Sequence, residues 1–227
     1  MELLSEIIRG EIVAKMNNMI RVSEVVGTFG EQVTSVKFCD YKWLSMYQGK
    51  TFGAYAYGNI AENGSVLITA PTNLNVGDLV PLPLPTFFWG TPMNTVEEWH
   101  NFATREEDKL PFIWLVQPTK LKYNDYRQTV KVVADLNLFF VHYSNWKQTN
   151  EYRENQSIKP LQAIADEFVA TINRNGKWFN KLRQNTRTEH PRFGKESTKG
   201  VEETVFRSKL AAVKLVTSLD IKENCKC

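Results

Sequence analysis

The chain has 227 residues, of which 42% are hydrophobic, 12% aromatic and 23% charged, with 28 basic against 25 acidic side chains. That length suits one domain with a sizeable core, and the composition excludes an intrinsically disordered chain and a disulfide-stapled mini-protein. No window approaches the roughly 18 uninterrupted apolar residues of a membrane helix, and Met1-Glu2-Leu3-Leu4-Ser5-Glu6 carries acids where a signal peptide carries base; no membrane association and a cytoplasmic origin are expected.

In chain order, Leu4, Ile8, Ile12, Met16 and Ile20 recur every four residues, and the charged residues Glu2, Glu6, Arg9, Glu11, Lys15 and Arg21 fall elsewhere on the wheel. This predicts a long amphipathic N-terminal helix that stops before Gly27-Thr28-Phe29-Gly30. From Thr34 the period becomes two. Thr34, Val36 and Phe38 alternate with polar neighbours, as do Phe52, Ala54 and Ala56, and Asn63-Gly64 supplies the turn of a β-hairpin before Val66-Leu67-Ile68-Thr69. Residues 71–92 hold five of the nine prolines and the run Leu82-Pro83-Leu84-Pro85-Thr86-Phe87-Phe88-Trp89, which predicts an extended arm tipped with aromatic rings and not a central strand.

A short helix is expected over 95–109, ending before Pro111. Phe112-Ile113-Trp114-Leu115-Val116 reads as a strand buried on both faces. Every even position from Val130 to Phe140 is apolar, whereas Lys131, Asp135 and Asn137 occupy odd positions, so this segment is a strand with one buried face. A second amphipathic helix spans about 157–174: Ser157 is the candidate N-cap, Pro160 lies in the first turn, Leu161, Ile164, Ala165, Phe168, Val169 and Ile172 form the apolar stripe, and Asn175-Gly176 closes it. Val201 to Phe206 and Ala211 to Ile221 alternate again. The whole reads as a single α+β domain over 1–227, with a mostly antiparallel sheet of about five to seven strands, both helices packed on one face and two arms at about 71–92 and 174–199.

Between Arg174 and Lys199 stand eight bases and two acids, a net charge of +6, while the rest of the chain sums to −3. With Trp178, Phe179 and Phe193 interleaved, this segment suits a solvated loop, contact with an acidic protein neighbour, or phosphate neutralisation and base stacking on nucleic acid. Its glycines, asparagines and scarcity of aliphatic residues predict poor order in the isolated chain.

Motifs of chemistry are sparse. Gly49-Lys50-Thr51 lacks the glycine that a phosphate loop needs five residues earlier, where Leu44 stands, and reads as the start of a hairpin strand. Glu97 and His100 make one copy of a spacing that di-iron bundles use twice, and Cys225-Lys226-Cys227 offers two thiolates where a closed zinc site needs four ligands. Cys39 stands alone. No cofactor, no metal and no enzymatic activity are expected.

The segments Pro111-Phe112-Ile113-Trp114-Leu115, Asp135-Leu136-Asn137-Leu138-Phe139-Phe140-Val141, Trp146 and Ile158-Lys159-Pro160-Leu161, with Ile164, Phe168 and Ile172, follow in an order that resembles a family of small virion proteins of tailed bacteriophages. These occur in phages and prophages of gut Bacteroidetes, including the crAss-like group, and look like subunits of the head-to-tail connector or tail-completion ring. The resemblance spans 111–227 and rests on hydrophobic patterns, not catalytic residues. It implies an α+β subunit of a homo-oligomeric ring below the portal, around the channel through which the genome passes, assembled in the host cytoplasm and carried in the virion. Its partners would be the portal and other neck or tail proteins, with non-specific contact to genomic DNA as a further option. On that reading Leu84, Phe87, Phe88 and Trp89 are the subunit or portal contacts, and Lys177, Lys181, Arg183, Arg187, Arg192 and Lys195 form a basic arm toward acidic protein or DNA. The rival from another class is a nucleic-acid-binding module that uses the basic segment 174–199.

Overall fold

The computed structural model describes residues 4–39, 44–91, 95, 97, 110–116, 120–126, 129–145, 147–180, 182, 185–198, 201–204 and 209–222. The chain is α+β with mostly antiparallel sheets. It divides into two compact units, Asn17–Leu84 and Met1–Met16 with Pro85–Cys227. The expected sheet of five to seven strands is correspondingly two sheets, each of six strands among the described residues, plus a separate two-stranded ribbon.

The unit Asn17–Leu84 is built on strands β1 (Met19–Thr28), β2 (Val33–Phe38), β3 (Thr51–Phe52), β4 (Tyr55–Ile60), β5 (Val66–Thr69) and β6 (Leu79–Pro81), in the spatial order β3-β4-β5-β2-β1-β6. Residues directly opposite on antiparallel strands share a face, and the buried pairs Val22 and Phe38, Val36 and Val66, Tyr57 and Ile68, and Ile20 and Val80 mark the apolar one. The buried Thr34 hydroxyl takes part by accepting the Leu74 amide at 3.1 Å. The hairpin at Asn63-Gly64 is as expected: Gly64 adopts φ +78, and the Asn63 side chain accepts from the Ser65 amide at 3.0 Å. The alternating run from Phe52 to Ala56 is not one strand, because Gly53, at φ +57, turns the chain between β3 and β4.

The long N-terminal helix does not form. Helical structure is confined to Leu4–Ile7 (α1), a π-helical turn Ile8–Ile12 and a 3-10 turn Val13–Lys15; Met16 is already extended and β1 begins at Met19. A spacing of four is an even number, so Met16, Ile20 and Val22 satisfy a strand of period two as well as a helix. Local chemistry and pairing then decide. The Asn17 side chain accepts from the Met19 amide at 3.2 Å, a turn that competes with helix, and Ile20 gains Val80 as a sheet partner.

The other unit is a sheet in the order β11-β14-β10-β8-β7, formed by β7 (Thr86–Gly90), β8 (Phe112–Val116), β10 (Thr129–Tyr143), β11 (Asn185–Phe193) and β14 (Leu210–Ile221), with β9 (Lys120–Tyr126) paired to the first half of β10. β7 and β8 run parallel and the other pairs antiparallel. β10 is the spine, matched to β14 from Val132 opposite Ile221 to Tyr143 opposite Leu210. Its even face is the expected one: Ala134, Leu136, Leu138 and Phe140 are buried.

Against that face packs α3 (Lys159–Arg174), with Phe168 edge-to-face on Phe140 at 5.6 Å and Leu161, Ile164, Ala165 and Ile172 buried beside it. Each of these leucine, isoleucine and phenylalanine side chains stabilises the unit by about 1.5–3 kcal/mol. The helical run begins earlier than expected, with α2 (Asn150–Arg153) and a π-helical turn Glu154–Ile158. Thr149 is the N-cap of α2, accepting from the Tyr152 amide at 3.3 Å, and Ser157 instead donates to the Tyr143 carbonyl at 3.0 Å. Asn175 follows α3, and its side-chain amide donates to the Glu11 carbonyl at 2.9 Å.

The expected helix over 95–109, apart from Thr95 and Glu97, lies outside the described residues, as do Trp146, Cys225 and Cys227. Gly49, at φ +74, donates its amide to the Tyr57 carbonyl at 2.7 Å, consistent with a turn into β3.

Candidate assembly interface

The aromatic segment is not an arm. Pro81 lies in β6, an edge strand where a missing donor is harmless, and the backbone around it is held by buried phenols: Tyr47 donates to the Pro83 carbonyl at 2.8 Å and Tyr57 to that of Pro81. Burial pushes both phenols well above their ordinary range, so they remain protonated donors. Leu84 is half-buried and is the last residue of its unit.

Thr86–Gly90 contains no proline, and it pairs with β8 in a parallel ladder that sets Phe87 beside Ile113 and Phe88 beside Trp114. Phe88 is 1% exposed and meets Phe112 edge-to-face at 5.4 Å; Phe87 is 9% exposed and stacks on Trp89 at 6.1 Å. Trp89 is half-buried, with the Arg9 guanidinium 6.0 Å from its ring centre. The Trp114 indole N–H donates to the Gly90 carbonyl at 3.2 Å. A proline removes only its own N–H from a ladder, and the closely spaced prolines stop at Pro85, so the aromatic run after it keeps its donors, is free to pair and becomes core.

The basic segment is not a loop either. From Trp178 onward it lies alongside β14: Lys222 donates its amide to the Trp178 carbonyl at 3.0 Å, Phe179 bridges Ile221, Asn180 donates to the Asp220 carbonyl at 3.0 Å, and β11 continues the lane from Asn185 opposite Thr217 to Phe193 opposite Leu210. Phe179 is buried. Backbone pairing supplies the ordering that side-chain composition does not, and the expectation of a poorly ordered arm is corrected on that ground for the described residues of 178–193 alone.

Two cations of the basic segment are engaged within the unit. Arg187 pairs with Asp166 of α3 at 2.6 Å, and Arg174 pairs with Glu167 and Thr171. Lys177 is exposed, its ammonium 4.7 Å from the Trp178 ring centre, and Arg192 is exposed on β11. Lys195 opens a ribbon of β12 (Lys195–Thr198) and β13 (Val201–Thr204), opposite Thr204. Lys181 and Arg183 lie outside the described residues.

The sequence pattern missed a cluster on the odd face of β10. Trp114 stacks on Phe139 at 5.5 Å, Phe193 lies 4.9 Å from Phe139, His190 lies 5.8 Å from it, and the Lys214 ammonium is 5.7 Å from the Phe139 ring centre. Burial, and secondarily the charge of Lys214, hold the His190 imidazole below its ordinary pKa. These residues come from four strands, and only the two-residue alternation of Phe139 with Val141 hinted that the odd face also turns apolar. Among the described residues no group of three or more His, Cys, Asp or Glu side chains is placed to hold a metal.

A scan against protein-family models and a search of curated proteins each found no match to this chain.

Proposed function

We propose that the chain is a structural subunit of a tailed-phage virion, forming a homo-oligomeric ring in the head-to-tail connector or tail-completion assembly, around the DNA channel. The observation that supports this reading is that the segments carrying the resemblance are not scattered: Phe112–Val116, Asp135–Val141 and the helix Lys159–Arg174 are β8, the middle of β10 and α3, and they pack as one sheet-and-helix layer. A shared order of hydrophobic segments carries weight when the segments are the core of one unit, because core pattern specifies fold. Function comes with the fold only by analogy, so the reading must be tested by assembly.

The purified full-length chain should form closed annular particles of one size, seen by native mass spectrometry and negative-stain microscopy without added nucleic acid. A chain that stays monomeric at its highest soluble concentration, in low and high salt alike, overturns the reading. High salt also separates the rival: a nucleic-acid complex weakens steeply as salt rises, while a ring held by buried apolar and backbone contacts persists. That rival retains Lys177 and Arg192 as exposed cations, whereas Arg174 and Arg187 already neutralise acids of α3.

A further inference from the structure

We propose that the ribbon β12–β13 of one copy adds as an extra strand pair to the free edge of β11 on a second copy, joining subunits head to tail. The inference rests on the ring reading above and names the contact that would close the ring. β11 is the last strand of its sheet, and among the described residues no strand pairs with its outer side. Alternate residues of such an edge direct their backbone N–H and C=O groups outward, a ready template for another strand.

Two features limit the usable length. Pro191 has no N–H, and the register is broken between His190 and Phe193, so the open lane is Asn185–His190. Arg187 to Asp166, and Gln162 to Glu189, tie this stretch to α3 and keep it in place.

The donor is on the same chain. β12 and β13 pair with each other and with no other described strand, and their eight residues include one aliphatic side chain, Val201. A two-stranded ribbon without an apolar face is marginal in water, and a third strand supplies the backbone hydrogen bonds it lacks. β12 follows β11 across the single residue Gly194, at φ +72, beyond the last pair of β11 with β14, Phe193 and Leu210. It does not lie on its own acceptor edge.

Donor and acceptor being different surfaces, the contact is heterologous, which closes into a ring or runs on as a filament. The lane itself carries one base and one acid, and Arg187 is already paired with Asp166, so charge does not select the occupant; the same chain's ribbon, whose strands do not pair with their own β11, points to a second copy.

The test uses the full chain in three forms. In one, residues 196–203 are replaced by Gly-Asn-Gly, removing the ribbon. In the other, the edge is blocked by proline; Thr188→Pro and Glu189→Pro are both made, since adjacent residues alternate between inward and outward N–H, and whichever retains the parent's melting temperature is the blocked chain. Each should lose the large assembly and sediment as monomer, while their equimolar mixture should give heterodimers and nothing larger, because one free edge then meets one free ribbon. If the ribbon-deleted chain assembles as the parent does, or the mixture stays monomeric, the strand-addition contact is wrong while the ring stands. If the parent itself does not assemble, it is the ring reading that falls.

Discussion

Replacing Phe88 by alanine separates a core role for the aromatic segment from an interface role. The ring is 1% exposed, lies in the cluster of Leu110, Phe112, Trp114, Val141, Leu210 and Ala212, and packs edge-to-face on Phe112 at 5.4 Å. A buried aromatic side chain removes about 150–250 Å² from water, which at roughly 25 cal/mol per Å² amounts to about 4–6 kcal/mol as an upper bound. Phe→Ala losses in cores of about 3–5 kcal/mol agree, since they add the cavity to the transfer term. We therefore expect a loss of about 3–5 kcal/mol for Phe88→Ala in the monomer. Trp89→Ala, at a half-buried ring, should cost clearly less. The described tryptophans, Trp89, Trp114 and Trp178, lie in the unit that contains Phe88, so their intrinsic fluorescence during urea unfolding reads that unit. With a slope of about 2–3 kcal/mol per molar urea, the midpoint should fall by roughly 1–2 M. A midpoint within experimental error of the parent, combined with lost assembly, would show that Phe88 is an exposed contact after all and that the parallel pairing of β7 with β8 is misassigned.

Three further outcomes follow from the same geometry. Leu138→Asp places a carboxylate on the buried even face of β10 between Leu115 and Leu215 and should prevent folding of its unit, whereas Asn137→Asp, on the half-buried odd face, should yield soluble protein; equal soluble yields would mean the register is off by one. A Cβ on Gly58 would sit 2.9 Å from the Leu67 carbonyl oxygen, backbone that cannot swing aside, so Gly58→Ala should destabilise the unit 17–84 by about 1–3 kcal/mol in a chemical denaturation followed by circular dichroism, and a change under about 0.5 kcal/mol would refute the close approach of β4 to β5. His190 is held below its ordinary pKa by burial and Lys214, so the unfolded chain takes up the proton more readily; the stability this group contributes is present above the ordinary histidine pKa and is lost as pH falls below it. His190→Phe should flatten that acid-side decline in the denaturation midpoint between about pH 7 and about pH 5, and identical slopes for the two chains would exclude His190 as its source.

How far the sequence alone reaches can be seen residue by residue. The even-odd alternation from Val130 to Phe140 identified β10 and its buried face, the i, i+3, i+4 stripe from Leu161 to Ile172 identified α3, and Asn63-Gly64 identified a hairpin, because in each case the deciding interactions lie within a few residues or repeat with the period of the element itself. The even face of β10 and the apolar stripe of α3 each leave an apolar surface to be covered, and in the fold they cover each other.

Where pairing between distant segments decides, the sequence was silent or misleading. Ile20 fits a helix by spacing and a strand by parity, and Val80, sixty residues away, settles it. Phe87 and Phe88 follow three closely spaced prolines and looked like an exposed arm until β8 offered them a ladder. Arg187 and the rest of the described lane from Trp178 to Phe193 looked like a solvated loop until β14 offered theirs. The cluster of Trp114, Phe139, His190 and Phe193 exists only because the sheet brings β8, β10 and β11, distant in sequence, onto one face. A backbone N–H and C=O are carried by nearly every residue, so hydrogen-bonding capacity leaves no mark in the amino-acid pattern; which segments use it on each other is set by the tertiary fold.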